Sequence, residues 1–223
     1  MCSHYQAVKN AALLEKRFLA KAPADMGEYD LRPTDQGLFL RRPPASIAGA
    51  QTVEAKVGRW GLISARGRPF DLKLATFNAR AEDIAVKRTF RDAWHARQFC
   101  IIPAEAIFEP DWRQKYQIAT RFTRADGHPL AVAGIWDRGT NETGQQVDSY
   151  TMITINADDH PLFKHYHRRE DEKRMVVMLA DDAWQRWLSA TVDEAKSMLL
   201  PIAADQLITT PMPVGNATNL SLF

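Results

Sequence analysis

The chain has 223 residues, 45% of them hydrophobic and 25% charged, with a formal net charge of +2. That length and balance suit a folded domain with a sizeable core and exclude a disordered or fibrous chain; the charge is too small to argue for a polyanion partner, so any basic site must come from local clustering. Two cysteines, Cys2 and Cys100, exclude a disulfide framework and point to a reducing compartment, and no stretch is apolar for long enough to span a bilayer or to read as a secretory leader.

The chain opens Met1-Cys2. Removal of Met1, which aminopeptidases perform when a small residue follows, would leave Cys2 with a free α-amine beside its thiol. The two groups have reference pKa values of roughly 7.7–8.0 and about 8.5. Such a vicinal aminothiol condenses with an aldehyde to an imine, and the thiol then closes on the imine carbon to give a stable thiazolidine. An internal cysteine cannot do this. By itself an N-terminal cysteine carries little weight; the downstream residues give it meaning.

Tyr5–Lys21 reads as an amphipathic helix, with Val8, Ala12, Leu14 and Phe18 toward a core. Residues 24–49, with Pro33, Pro43 and Pro44, read as loop plus short extended pieces. Gln51–Gly61 alternates in hydrophobicity and is predicted as a strand, followed by a loop over Ser64–Asp71. A helix is expected from about Glu82 to Ala96, then a short strand at Phe99–Ile102. Strands are predicted at Tyr116–Phe122, Leu130–Trp136, Tyr150–Ile155 and Met175–Leu179, with Asp126-Gly127 marking a hairpin. Asp181 is expected to cap a helix through Leu188, a further helix spans Asp193–Leu200, and the tail from Pro211 to Asn219 is turn-like. Many short strands, few helices and no βαβ alternation predict one α+β domain over residues 1–223: compact and β-rich, a mostly antiparallel sheet or barrel-like core with peripheral helices.

No phosphate-binding loop, dinucleotide fingerprint, zinc-protease motif or serine-hydrolase elbow is present. His160, His165 and His167 match no zinc spacing, so neither a metal nor another cofactor is expected. A single histidine used as a general acid, with Arg168, Arg169, Lys173 and Arg174 to hold an anionic substrate, fits this segment; so does a solvated charged loop. Glu109 follows apolar Ala106-Ile107-Phe108 and precedes Pro110, a setting in which a carboxylate is partly buried with a raised pKa, or else is an edge carboxylate paired with arginine. Asn78 and Arg80 share one face if their segment is extended, offering an amide and a guanidinium to a phosphate or carbonyl oxygen.

The ordered set Met1-Cys2, Trp60-Gly61-Leu62, Asn78-Ala79-Arg80-Ala81-Glu82, Phe90-Arg91-Asp92-Ala93, Cys100-Ile101-Ile102-Pro103-Ala104 with Phe108-Glu109, Ala133-Gly134-Ile135-Trp136, Tyr166-His167 with Lys173-Arg174-Met175-Val176-Val177, and Val214-Gly215-Asn216 resembles the SOS-response-associated peptidase family. Members of that family act on abasic sites in single-stranded DNA. The resemblance implies that Cys2 crosslinks to the abasic aldehyde, that Asn78 orients the reacting end, and that Glu109 and His167 form the acid–base pair. It also implies that Arg80, with Trp60, Arg168 and Arg174, binds the DNA. Self-processing peptidase activity, a lyase-like activity, a cytoplasmic (in a bacterium, nucleoid-associated) location and a monomeric state are further expectations of this kind. The chain departs from the family pattern in Ser3-His4 where Gly-Arg is usual, in Asp30 where an Asn is usual, in Glu109-Pro110 with Trp112 displaced by two residues, and in a longer loop at Arg168–Lys173. The loss of arginine beside Cys2 removes a DNA contact, and Arg32 stands near enough in sequence to Asp30 to offset its charge. Two other readings stay open: a cysteine-type or N-terminal-nucleophile peptidase, which needs a base and an oxyanion hole but no free α-amine, and a non-covalent single-strand binder.

Overall fold

The computed structural model describes residues 2–43, 53–67, 75–113 and 117–212. Met1, the Val214-Gly215-Asn216 motif and the predicted turn-like tail beyond Met212 lie outside the described residues, as do Gln51, Thr52 and Tyr116 of the predicted strands and the far part of the predicted Ser64–Asp71 loop.

The first strand, β1, spans only Tyr5–Ala7, and α1 spans Ala11–Phe18, where a single longer helix is predicted. The physical reason is local. Asn10 accepts a hydrogen bond from the Leu13 amide at 3.0 Å and so starts the helix there, while Tyr5–Ala7 is drawn into the sheet between β2 (Asp30–Leu31) and β6 (Phe99–Asp111). Strands β3 (Gln36–Arg41), β4 (Glu54–Trp60) and β5 (Asn78–Arg80) follow, then α2. That helix begins at Arg88 and ends at His95, because residues 81–87 form successive turns. Beyond β6 lie β7 (Ile118–Arg124), β8 (Leu130–Thr140), β9 (Gln146–Asn156), β10 (Arg174–Val176), β11 (Met178–Leu179), α3 (Trp184–Ser189), α4 (Val192–Ser197) and β12 (Leu207–Pro211). Asp181 does not cap α3. Its carboxylate is taken by Arg124, at 2.6 Å, and by Arg17. The helix that does carry a reciprocal cap is α4, through Thr191 and Glu194.

The described strands form one 12-stranded sheet in which β8, β9, β4, β3 and β6 pair in turn and β6 pairs back with β8, closing a barrel-like core. This is the predicted α+β class, with four helices on the outside. Among the described residues nearly all pairings are antiparallel, the exceptions being β4 and β5, which run parallel to β9. Tyr5, Trp60, Phe39 and Tyr150 pack together in the core, and Trp94 of α2 and Trp187 of α3 pack against Phe99 of β6, each of these side chains buried. Burying one such ring contributes on the order of 4–6 kcal/mol of gross hydrophobic stabilisation. Tyr5 and Tyr150 satisfy one another, hydroxyl to hydroxyl, at 2.5 Å inside this core. Gly37 is what lets them meet, since a Cβ there would stand 2.1 Å from the Tyr150 oxygen.

Strand β6 is the element on which the site depends. Its first half pairs with β8 inside the barrel; its second half leaves the barrel and runs between β1 and β7. The predicted strand stops at Ile102, ahead of Pro103, whereas the observed one passes through both Pro103 and Pro110. Neither proline has an N–H to donate, but the carbonyl of each is still used: Pro103 accepts from Val8 and Pro110 from His167. Among the described residues no helix is long and apolar enough to cross a membrane.

Candidate active site

Four of the sequence-selected residues meet at the outer end of β6. Cys2 precedes β1, which lies antiparallel to β6, and the Phe108 amide donates to the His4 carbonyl at 3.0 Å. This pairing carries Cys2 alongside Glu109. Asn78 begins β5, whose register on β9 (Asn78 opposite Met152) brings it to the same place, and its amide donates to the Cys2 carbonyl oxygen at 2.6 Å. The Cys2 thiol donates to the His4 carbonyl at 3.4 Å. Cys2 is therefore held at two points, the carbonyl and the sulfur.

His167 enters from the loop that follows a short 3₁₀ turn at Phe163–His165. Its backbone φ is +65°, which is uncommon for a residue with a side chain and costs on the order of 1–3 kcal/mol unless the surroundings impose it. The imposing contact is its own amide, which donates to the Pro110 carbonyl at 2.9 Å. The ring nitrogen Nε2 then lies 3.2 Å from Glu109 Oε2 and 3.2 Å from the Arg174 carbonyl oxygen. A carbonyl only accepts, so Nε2 carries the hydrogen. Glu109 is 1% exposed, and neither of its carboxylate oxygens makes a hydrogen bond of good geometry; the Asn78 side-chain oxygen is likewise buried and unbonded. A buried carboxylate beside an imidazole, with oxygens still to be satisfied, is an arrangement for accepting and returning protons. The Cys2 thiol is pushed up to about 12, first by burial and then by the negative charge of Glu109, with backbone hydrogen bonds only partly offsetting these. It is a neutral thiol in the neutral pH range.

The predicted DNA-contacting residues separate into two groups. Arg80 is half exposed and its guanidinium meets Glu172 Oε2 at 2.9 Å. Arg168 is exposed and stacks over the Trp112 ring at 5.0 Å. Both stand on the surface beside His167 and Asn78. Trp60 and Arg174 do not. Trp60 is fully buried, packs edge-on against Tyr5 at 4.9 Å and donates its indole N–H to the Phe77 carbonyl at 3.0 Å, fixing the residue before Asn78. Gly61 follows with φ +134°, a conformation that favours glycine. Arg174 is 1% exposed, paired with Glu82 at 3.0 and 2.8 Å, with Glu172 at 2.7 Å, and with the Thr154 carbonyl at 2.7 Å. Its guanidinium braces β9 against the turn after β5, and its carbonyl seats His167.

Two features escaped sequence reasoning. Ser3-His4 and Asp30 stand out singly as departures, but His4 Nε2 and Asp30 Oδ1 are hydrogen-bonded at 2.7 Å, and the His4 ring stacks on Phe108 at 3.8 Å. Burial pushes the His4 pKa down against the raising effect of Asp30, so this position offers a neutral imidazole. The co-occurrence of a histidine and an aspartate at two departing positions was the available signal. The second is Glu172, inside the longer loop, which ties Arg80 to Arg174; a carboxylate two residues from an arginine gave no hint of it. Among the described residues no cluster of three or more metal-ligating side chains is present. His160 instead bonds the Ile202 carbonyl at 2.8 Å.

The profile of the SOS response associated peptidase (SRAP) family matches residues 1–219. The chain belongs to that family. It is 31% identical over 155 residues to the protein named abasic site processing protein YobE of Bacillus subtilis, covering 67% of this chain and 66% of YobE. It is 31% identical over 182 residues to abasic site processing protein YoaM of the same organism, covering 74% and 76%. A crystal structure of a Bordetella bronchiseptica protein is 47% identical, with a TM-score of 0.87 over 96% of this chain and 100% of that one. A Bacteroides thetaiotaomicron structure with a TM-score of 0.78 is 21% identical and so shares the fold.

Proposed function

We propose that this SRAP protein processes abasic sites in single-stranded DNA by forming a covalent thiazolidine through Cys2, once loss of Met1 frees the Cys2 amine. The observation that carries the reading is the convergence of Cys2, Asn78, Glu109 and His167 on one buried point, with Cys2 clamped by its carbonyl and sulfur so that the α-amine is its remaining reactive group. The names of the Bacillus relatives point to the substrate class.

An abasic deoxyribose is mostly a closed hemiacetal. His167 delivers a proton to the ring oxygen as the C1′–O4′ bond breaks, and the C1′ hydroxyl returns its proton through water to His167, giving the aldehyde. The Cys2 amine attacks C1′; Glu109 passes one amine proton to the carbonyl oxygen, giving the carbinolamine, and then relays the second from nitrogen to the carbinolamine hydroxyl, which leaves as water. The thiol sulfur then bonds to C1′ of the imine, and its proton ends on the ring nitrogen. Atoms balance, with water the only product released. A protonated thiol suits the last step because it brings the proton that the imine nitrogen needs. The unbonded Asn78 oxygen is an acceptor for the amine, and Asn78 sets the direction of attack. Arg80 and Arg168 hold phosphates on either side of the lesion without reading bases. Trp60 and Arg174 act behind them, as supports for Asn78 and His167.

The test is incubation of the Met1-processed protein with a single-stranded abasic oligonucleotide, followed by denaturing electrophoresis. A covalent band that is stable to heat and lost in Cys2→Ser supports the reading. Salt-sensitive retention with no covalent band supports a non-covalent binder instead, and peptide turnover without a band supports a peptidase.

A further inference from the structure

One buried polar side chain next to Glu109 has no part in the chemistry described so far. Strands β6 and β7 are paired in regular antiparallel register through Phe108–Arg121, Glu109–Thr120 and Pro110–Ala119. Residues directly opposite each other in such a pair project from the same face, with Cβ atoms about 4.5–5.5 Å apart. Thr120 is therefore the cross-strand neighbour of Glu109. Both are 1% exposed. The Thr120 hydroxyl makes no hydrogen bond, and the two Glu109 oxygens make none of good geometry, although His167 Nε2 stands 3.2 Å from Oε2. Valine has the same shape and would fill a buried strand position without stranding a hydroxyl. The cross-strand pairing sets that hydroxyl beside a carboxyl group whose oxygens also lack a hydrogen bond of good geometry.

We propose that Thr120 is a positioning residue for Glu109, holding the carboxyl group through both halves of its proton cycle; this rests on the acid–base reading of Glu109 given above. A hydroxyl donates to the carboxylate and accepts from the carboxylic acid, so it follows the change of protonation by rotating its hydrogen alone. The bond to the charged form is the stronger of the two. Thr120 therefore favours ionised Glu109, the form that takes the amine proton. The other groups facing Glu109 are His167, from the loop after the 3₁₀ turn, and the Cys2 thiol, from the segment before β1. On its far side Thr120 is paired with Pro211 of β12, which has no titratable group.

The experiment is single-turnover crosslinking to an abasic oligonucleotide across pH for Thr120→Val, Thr120→Ser, Glu109→Gln and the Thr120→Val/Glu109→Gln double variant. Thr120→Val should lower the rate by about ten- to a hundredfold at neutral pH and alter its pH profile. Thr120→Ser should restore both, and oligonucleotide affinity should not change. In the Glu109→Gln background Thr120→Val should add nothing. A wild-type rate and profile in Thr120→Val, with Glu109→Gln slow, overturns the role of Thr120 alone. An equal loss from Thr120→Val with and without Glu109 shows a merely structural part and also overturns it. A wild-type rate in Glu109→Gln overturns the acid–base reading and this proposal with it. Thermal melting of each variant separates misfolding from lost positioning, and Thr120→Ser keeps the test open if the valine variant does not fold.

Discussion

The guanidinium of Arg80 is already occupied within the chain. Glu172 holds it at 2.9 Å while also bonding Arg174 at 2.7 Å, and Arg174 keeps the Glu172 carboxyl below the usual carboxylate range. A phosphate that reaches Arg80 must displace a carboxylate that is fully ionised at neutral pH. The side chains are 45% and 35% exposed, so the pair is worth the ~0.2–1 kcal/mol of a surface ion pair rather than the more of a buried one. Glu172→Gln should therefore tighten single-stranded DNA binding by about 1.4- to 5-fold. It should also steepen the salt dependence, because Arg80 would meet phosphate with its own counterion to release; one full contact is about 0.7 in the slope of log K against log salt. Arg174 should stay in place, since Glu82 and the Thr154 carbonyl still hold it. The assay is fluorescence anisotropy of an undamaged oligonucleotide over a salt series, with Cys2→Ala throughout to prevent crosslinking. Removing any negative charge from a DNA-facing surface aids binding somewhat, so the deciding measurement is the same change in an Arg80→Ala background. If Glu172→Gln gains as much there as in the parent, or gains nothing in either, the competition between Glu172 and phosphate for Arg80 is refuted.

Cys2→Ala and Cys2→Ser should both abolish the stable adduct, and so should an added N-terminal tag that blocks the amine; a stable crosslink from a blocked chain, seen on a denaturing gel, would exclude thiazolidine chemistry. His167→Ala and Glu109→Gln should each slow single-turnover crosslinking by about 10²–10⁴-fold, with little change in oligonucleotide affinity for His167→Ala. For the thiol, burial first and then the negative charge of Glu109 fix the sign: the proton is held up to about pH 12, well above the ordinary thiol range. Iodoacetamide labelling of Cys2 in a Cys100→Ser background should thus be at least about a thousandfold slower than for an unfolded control at pH 8, and still rising above pH 10. A labelling rate that levels off below pH 8 would contradict a neutral thiol.

Much of the fold was legible because the barrel strands carry their own signal. Leu130–Trp136 and Tyr150–Ile155 are apolar runs that a closed sheet buries on both faces, and both were found, each a few residues longer than the pattern showed. What hydrophobicity does not register is where tertiary pairing overrides local preference. Tyr5–Ala7 scores as helix and is a strand because β6 offers an edge to it. Pro103 and Pro110 read as strand breaks, yet their carbonyls are recruited by neighbours. Met175–Leu179 reads as one strand, but at Val177 the chain passes from β9 to β8 and makes two. Within the site, Cys2, Asn78, Glu109 and His167 were legible as chemical types, and their convergence was not, since it depends on the long reach of β6 and the register of β5 on β9. Trp60 and Arg174 were misplaced for a related reason: an indole and a guanidinium look like ligand-binding groups in a sequence, and only packing shows that both are consumed internally.

The placement of Glu109 also bears on the peptidase activity in the family's name. A thiol hydrolase needs its sulfur ionised, which calls for a positive neighbour or a helix N-terminus. Here the strongest charge acting on Cys2 is the negative one of Glu109, and the imidazole of His167 is turned to Glu109 and the Arg174 carbonyl. Each favours the protonated thiol. The same arrangement suits an amine: a carboxylate beside an α-amino group takes its proton during attack on a carbonyl, and gives that proton back when water leaves. Aldehydes react with amines without prior activation of the carbonyl by an oxyanion hole, whereas amides do not. One carboxylate in one place thus disfavours the first chemistry and suits the second, and it sets the order of events in the proposed reaction: nitrogen attacks first, while sulfur, held neutral against the His4 carbonyl, closes the ring only after an imine carbon has formed.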